Sequence, residues 1–172
     1  PDGQVEESTA QMERETQNLL LIGMPGCGKT TVGRVLAQRL GRTLVDTDAL
    51  VVQAAGCPIP ELFAREGEEA FRVLEHRALC QAGRASGTVI ATGGGIVIRR
   101  ENWAPMRENS TVIFLRRPLD QLPLDGRPVS QANPLGGLYE ERLPLYERAA
   151  DLTVDNDQVD RAVDEIIRRL KL

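Results

Sequence analysis

The chain has 172 residues, of which 41% are hydrophobic and 27% are charged, and its formal net charge is −4. This length and composition predict a globular domain that can bury its own core. Acidic and basic residues are interspersed, so no region resembles a nucleic-acid footprint or a membrane-binding face, and we expect neither partner. No apolar run reaches the ~18 residues of a membrane span, which predicts a cytoplasmic protein, and we expect a monomer.

Two regions of the chain differ in composition. Residues 1–17 are polar and acidic without apolar periodicity, which predicts a disordered N-terminal lead-in because little surface is available to offset the entropy of ordering. Residues 18–172 carry regular apolar patterns and are predicted to form the folded domain. The three cysteines, Cys27, Cys57 and Cys80, lack metal-ligand spacing, so we expect reduced thiols rather than disulfides or a zinc site.

Short apolar runs alternate with helical periodicities along the folded domain. The sequence predicts strands at residues 19–22, 43–46, 88–91, 111–115 and 152–154. It predicts helices at residues 29–40, at 49–54 with Thr47 as the N-cap, around 71–79, around 142–146 and at 159–170. The alternation predicts an α/β fold with a central five-stranded parallel sheet, in which ligands bind beyond the carboxyl ends of the strands.

The first predicted strand leads directly into a phosphate-binding motif. Residues 23–30 read GMPGCGKT and match G-x-x-x-x-G-K-[ST] between a strand and a helix, the context that the motif requires. The loop amides and the helix N-terminus can surround phosphate oxygens, Lys29 can neutralise them, and the Thr30 hydroxyl can bind Mg²⁺. A chance glycine-rich turn is the alternative, and the flanking strand and helix argue against it.

Two further motifs follow predicted strands. Asp46 and Asp48 are two residues apart, so in extended chain they would point the same way, one toward a metal and one toward an acceptor hydroxyl. A pair of helix-capping carboxylates is the ordinary alternative. Residues 92–95 read TGGG, a run that lets backbone approach a ligand closely, although a flexible turn would explain it too.

Three arginines complete the set of candidate residues. Arg72 and Glu75 are three apart on a predicted helix, where exposed pairs usually contribute under about 1 kcal/mol. Arg127 lies in a Gly- and Pro-rich segment that could form a mobile lid, and Arg142 lies in a helical stretch. Taken singly, each arginine is most simply explained as a solvated side chain.

Together, these motifs resemble the shikimate kinase family over residues 19–170. The matching segments are GMPGCGKTT at 23–31, DTD at 46–48, GEEAFRVLE at 67–75, TGGG at 92–95, RP at 127–128 and RLPLY at 142–146. The resemblance implies a three-layer αβα P-loop kinase of the nucleoside-monophosphate-kinase type with a mobile lid. It also implies transfer of the γ-phosphoryl group of ATP to the 3-hydroxyl of shikimate in aromatic amino-acid biosynthesis, with Mg²⁺ as cofactor.

The resemblance also implies a role for each matching residue. ATP would be bound by Gly26, Cys27, Gly28, Lys29, Thr30, Thr31 and Arg127, with Lys29 and Arg127 acting in catalysis. The metal would be held by Thr30 and Asp46. The substrate shikimate would contact Asp48 as catalytic base, Arg72 and Arg142 as a carboxylate clamp, and Gly93, Gly94 and Gly95 through backbone. Glu75 would orient Arg72.

The chain departs from the family between Leu115 and Arg127. This segment is short and lacks the second lid arginine of many members, for which Arg116 or Arg117 could substitute. The adenine loop would correspond to residues 156–159. We expect no catalytic role for His76, the only histidine, because phosphoryl transfer depends on positioning and charge neutralisation. Trp103, Tyr139 and Tyr146 are interpreted as packing residues.

Two other functions remain as alternatives. A different small-molecule kinase, acting on gluconate or a nucleoside monophosphate, would share the phosphate loop but not a pair of arginines suited to a carboxylate. A nucleotide-binding module without turnover is the other, and only the short lid segment favours it. The intact set of charged residues in family order favours an active shikimate kinase.

Overall fold

Five short parallel strands form the sheet of the computed structural model, which describes residues 2–118, 122 and 135–172. The strands are β1 (Asn18–Ile22), β2 (Leu44–Asp46), β3 (Val89–Ala91), β4 (Ser110–Arg116) and β5 (Leu152–Asp155). Their order in the sheet is β2-β3-β1-β4-β5. The observed strands lie within one or two residues of the predicted ones, and the five-stranded parallel sheet confirms the predicted fold class.

Helices connect the strands. In the described part of the chain they are α1 (Asp2–Thr16), α2 (Lys29–Leu40), α3 (Thr47–Ala55), α4 (Ile59–Gly83), α5 (Trp103–Glu108), α6 (Leu135–Ala149) and α7 (Val159–Leu170). Helix α2 packs against α7, and α4 packs against both α3 and α5. Among these helices, none combines the length and the apolar character needed to cross a membrane.

The main hydrophobic core surrounds the central strands. Every residue of β1 is buried, and the apolar side chains of β3 and β4 are almost completely excluded from solvent. Strands buried on both faces are expected when helices cover both sides of a parallel sheet. The register aligns Leu21 of β1 with Ala91 of β3 and Ala91 with Asp46 of β2, so the segments after these strands emerge at one edge.

Helix α2 begins and ends at glycines. Gly28 precedes it with φ 97°, and Gly41 ends it with φ 64°, both in the left-handed region that favours glycine. The last carbonyls of the helix are satisfied because the N–H of Arg42 donates to Ala37 O over 2.8 Å. The predicted bounds of this helix are therefore confirmed.

The N-terminal segment differs from the disordered lead-in expected from its composition. Asp2–Thr16 form helix α1, whose end is attached to the body of the protein. The Arg42 guanidinium donates to Gln17 O over 3.0 Å and to carbonyls at the end of α1, and Gly87 N donates to Thr16 O over 2.8 Å. These partners are distant in sequence, so the local composition gave no sign of them.

The start of helix α3 also differs from the prediction. Asp46, not Thr47, is the N-cap: its Oδ1 accepts a hydrogen bond from Asp48 N over 2.9 Å. Thr47 is instead fully buried within the helix. Asp48 consequently lies in the first helical turn rather than in extended chain, so the two carboxylates do not converge by strand alternation as the sequence suggested.

Candidate active site

A cleft of about 440 Å³ lies at the carboxyl edge of the sheet. Its walls come from segments that each follow a strand: the phosphate loop after β1, Asp46 and Asp48 after β2, the glycine run after β3 and Arg117 after β4. Most of the predicted nucleotide and metal residues thus meet in one place. Arg127 lies outside the described residues, so its predicted role stays a prediction.

The phosphate loop has the backbone shape that its glycines predict. Gly26 and Gly28 have φ values of 79° and 97°, a conformation that other residues adopt only with strain. Lys29 is only 8% exposed, and its Nζ donates to Gly23 O and Met24 O over 2.7 and 3.0 Å. The loop therefore holds the Lys29 ammonium close to its own backbone, at the wall of the cleft.

Asn156, which follows β5, supports the phosphate loop through a hydrogen bond. Its Nδ2 donates to Cys27 O over 2.7 Å, and its side chain is buried. A Cβ atom added at Gly28 would lie 2.6 Å from the same nitrogen, so the amide fills the space beside the glycine. The sequence predicted Asn156 only as part of an adenine loop, and this contact was not predicted. The signal that could have indicated it is a polar residue directly after a strand.

Thr30 and Asp46 form the candidate metal site. The Thr30 hydroxyl donates to Asp46 Oδ2 over 3.1 Å, so two oxygen ligands lie together beside the phosphate loop. One or two protein oxygens, completed by phosphates and water, are the usual Mg²⁺ environment in phosphotransferases. The described residues contain no cluster of three or more His, Cys, Asp or Glu side chains that could hold a metal without a nucleotide.

Asp48 is a half-buried carboxylate whose pKa is raised. Burial is the main cause, and the negative charge of Asp46 adds to it, while Lys29 and Arg72 act in the opposite direction. A Cβ atom at Gly93 would lie 2.9 Å from both Asp48 Oδ1 and Glu75 Oε2. Gly93 is therefore needed so that the two carboxyl groups can approach the backbone.

Arg72 and Glu75 form a buried pair rather than the exposed pair that their spacing suggested. Arg72 Nη1 donates to Glu75 Oε1 over 2.9 Å, and the two side chains are 4% and 1% exposed. Glu75 Oε2 has no hydrogen-bond partner in the described structure. Burial raises the pKa of Glu75 although Arg72 opposes the shift. The Arg72 guanidinium occupies the space where a side chain at Gly95 would project.

Arg142 lies on helix α6 and is also buried, with 4% of its surface exposed. Its positive charge acts on the Tyr146 hydroxyl and on Glu75. Its Nε is buried without a hydrogen-bond partner among the described residues. The predicted carboxylate clamp, Arg72 and Arg142, is therefore brought together around Glu75.

Tyr146 does more than pack. Its hydroxyl donates to Gly94 O, and its ring stacks on Phe114 with centroids 5.1 Å apart. Burial raises the pKa of Tyr146 well above its usual range, so it remains a donor. Tyr146 thus connects the glycine run to α6. No feature of the sequence distinguishes this role from simple burial of an aromatic side chain.

The remaining candidates divide between the cleft and other surfaces. Thr31 lines the cleft, and Arg117 donates from Nη1 to Gly26 O over 3.1 Å. His76 contacts Asn102 instead, with 2.8 Å between His76 Nδ1 and Asn102 Oδ1. His76 is not among the residues that line the cleft.

The family model for shikimate kinase matches residues 25–171. The chain belongs to the shikimate kinase family. A shikimate kinase from Synechococcus sp. (strain CC9605) is 42% identical over 164 residues, which cover 90% of this chain and 82% of that protein. A shikimate kinase from Neisseria meningitidis serogroup C is 39% identical over 168 residues, which cover 92% of this chain and 99% of that protein.

Solved structures of shikimate kinases share this fold closely. A shikimate kinase from Acinetobacter baumannii in complex with shikimate superposes with a TM-score of 0.82 at 29% identity, covering 94% of this chain and 97% of the other. A gluconokinase from Sinorhizobium meliloti superposes with a TM-score of 0.51 at 16% identity, covering 90% of this chain and 91% of the other. The gluconokinase therefore shares the fold alone, and the predicted family is confirmed.

Proposed function

We propose that this chain is an ATP-dependent phosphotransferase that transfers the γ-phosphoryl group of ATP to the 3-hydroxyl of shikimate. The observation that carries the proposal is a half-buried carboxylate, Asp48, which lines the cleft beside two buried guanidinium groups, Arg72 and Arg142. Arg72 is paired with Glu75, whereas the buried Arg142 Nε has no hydrogen-bond partner among the described residues, which is unfavourable unless an anion binds there. The curated relatives named as shikimate kinases support the same substrate.

On the nucleotide side, the loop amides and Lys29 bind and orient the phosphates of ATP. Lys29, which lines the cleft and whose Nζ contacts Gly23 O and Met24 O, neutralises charge on the transferring phosphoryl group. Thr30 and Asp46 would hold Mg²⁺, which would neutralise negative charge on the phosphate groups. These groups act by positioning and by electrostatics rather than by covalent chemistry.

On the acceptor side, each residue performs a separate task. Arg72 and Arg142 bind the carboxylate of shikimate, because a planar guanidinium matches two carboxylate oxygens. Glu75 holds Arg72 in place through its 2.9 Å contact. Asp48 accepts the proton of the attacking hydroxyl, and its raised pKa makes it a stronger base than an ordinary aspartate.

A coupled assay that measures ADP release tests the proposal directly. We expect Mg²⁺-dependent release that is stimulated by shikimate and not by gluconate or nucleoside monophosphates. Stimulation by gluconate would favour the second candidate, a gluconate-type kinase, for which only the shared fold speaks. ADP binding without release in the presence of any acceptor would indicate a nucleotide-binding module and would contradict the proposal.

A further inference from the structure

Arg116 and Arg117 are adjacent in sequence but have different surroundings at the end of β4. Arg116 pairs with Asp155 through contacts of 2.6 and 3.1 Å, and both side chains are about half exposed. Arg117 instead lines the cleft and donates to Gly26 O over 3.1 Å. Because successive side chains of extended chain point in opposite directions, the two arginines diverge, and only Arg117 reaches the phosphate loop.

The Arg117 side chain is not fully satisfied where it lies. Its Nε is buried and finds no hydrogen-bond acceptor within the described part of the chain. A buried cationic donor without a partner is unfavourable, and an anion entering the cleft would supply the missing acceptor. Lys29 and Thr30 line the same cleft, so the anion that this site is built to receive carries phosphate groups.

We propose that Arg117 is a nucleotide-binding residue that contacts the polyphosphate of ATP and ADP beside the phosphate loop. The identity of the nucleotide rests on the proposed function. A guanidinium has five N–H donors in a planar fork, so Nη1 can keep the Gly26 carbonyl while Nε and Nη2 bind phosphate oxygens. Arg117 directly follows β4, so its position does not depend on a bound acceptor. We therefore expect it to bind the nucleotide before shikimate binds.

Arg117→Gln and its neighbour Arg116→Gln form a matched pair for the test. Calorimetric titration with ADP, without shikimate, should show binding to Arg117→Gln weakened about tenfold or more, since a charge-assisted hydrogen bond is lost. Arg116→Gln should bind ADP within about twofold of the wild type, because its partner Asp155 lies on the surface. In kinetics, Arg117→Gln should raise the KM for ATP and leave the KM for shikimate unchanged.

Two further measurements decide what Arg117 contacts. Pyrophosphate, which has no adenosine, should compete with ADP more weakly in Arg117→Gln than in the wild type. If ADP binding falls but pyrophosphate competition is unchanged, Arg117 contacts the adenosine and the polyphosphate assignment is wrong. Arg117→Lys, which keeps the charge without the fork, should bind ADP with intermediate affinity, and it provides the test if Arg117→Gln does not fold.

The outcome is separable from that of the proposed function. Wild-type ADP affinity in both Arg117 variants would overturn the inference even if shikimate is phosphorylated normally. Conversely, a wild-type protein that binds ADP in an Arg117-dependent way but phosphorylates no shikimate would overturn the proposed function and leave the inference standing.

Discussion

The nucleotide half and the acceptor half of the cleft are built in different ways. The nucleotide half is largely a contiguous piece of backbone, residues 23–31, shaped by glycines with positive φ. The proposed acceptor half consists of charged side chains from three helices: Asp48, which is half-buried and lines the cleft, and the buried Arg72, Glu75 and Arg142. A loop shaped by its own backbone does not rely on a distant side chain for its conformation. Removing one member of a buried charged group, in contrast, leaves the remaining charge without its partner. We therefore expect acceptor-side changes to be the more disruptive ones.

The largest effect is expected for Asp48→Asn, which removes the proposed base while keeping the side-chain volume. The kcat should fall about a thousandfold, within the range typical of general-base removal. ADP affinity, measured by titration, should change little because Asp48 belongs to the acceptor half. Asp160→Asn, on the exposed start of α7, is the control and should retain normal kcat. A normal kcat in Asp48→Asn would show that another group takes the proton.

Arg142→Ala should have the next largest effect. Truncating one member of a buried charged group typically costs about 2–5 kcal/mol, so the KM for shikimate should rise about a hundredfold. Arg148→Ala, six residues further along the same helix but exposed, is the matched control. An unchanged KM for shikimate in Arg142→Ala, measured by steady-state kinetics, would remove Arg142 from the carboxylate clamp.

Asn156→Ala tests whether the nucleotide half also needs a tertiary support. The variant loses the 2.7 Å hydrogen bond to Cys27 O, a contact worth about 1 kcal/mol, so the KM for ATP should rise about fivefold. The KM for shikimate should not change. If the KM values for ATP and for shikimate rise together, the nucleotide and acceptor halves are coupled, and the description of them as independent is wrong.

The smallest expected effect is on stability and depends on pH. The raised pKa of Asp48 means that ionising it disfavours the folded state, so Asp48→Asn should be more stable than the wild type near pH 7. The difference should shrink as the pH falls through the raised pKa of Asp48 and vanish below 3.8, where the carboxyl is protonated in folded and unfolded chains alike. Urea denaturation at several pH values measures it. A stability difference that grows as the pH falls would contradict the raised pKa.

Sequence reasoning succeeded where the determining residues are neighbours. The bounds of helix α2 follow from Lys29 after the phosphate loop and from Gly41 at its end, and both signals are local. The five strands were found because apolar runs between helices are typical of a buried parallel sheet. Membership of the shikimate kinase family could be predicted from the order of the motifs along the chain, because that order requires no knowledge of tertiary contacts.

Sequence reasoning failed where a residue's hydrogen-bond or packing partner lies far away along the chain. Helix α1 depends on Arg42 and Gly87, which lie far along the chain. Tyr146 donates to Gly94 across 52 residues, and Asn156 donates to Cys27 across 129. The burial of the Arg72–Glu75 pair likewise comes from tertiary packing. In each case the residue type allowed several partners, and only the fold selected one.

The Arg72 guanidinium lies in the space that a side chain at position 95 would need. Even one added methyl group there would displace Arg72 while leaving the phosphate loop untouched. If Arg72 binds the acceptor as proposed, discrimination among acceptors depends on a position that has no side chain. Redirecting the enzyme toward another acid by adding a side chain at position 95 therefore requires a change at Arg72 as well, because the two side chains would occupy the same space.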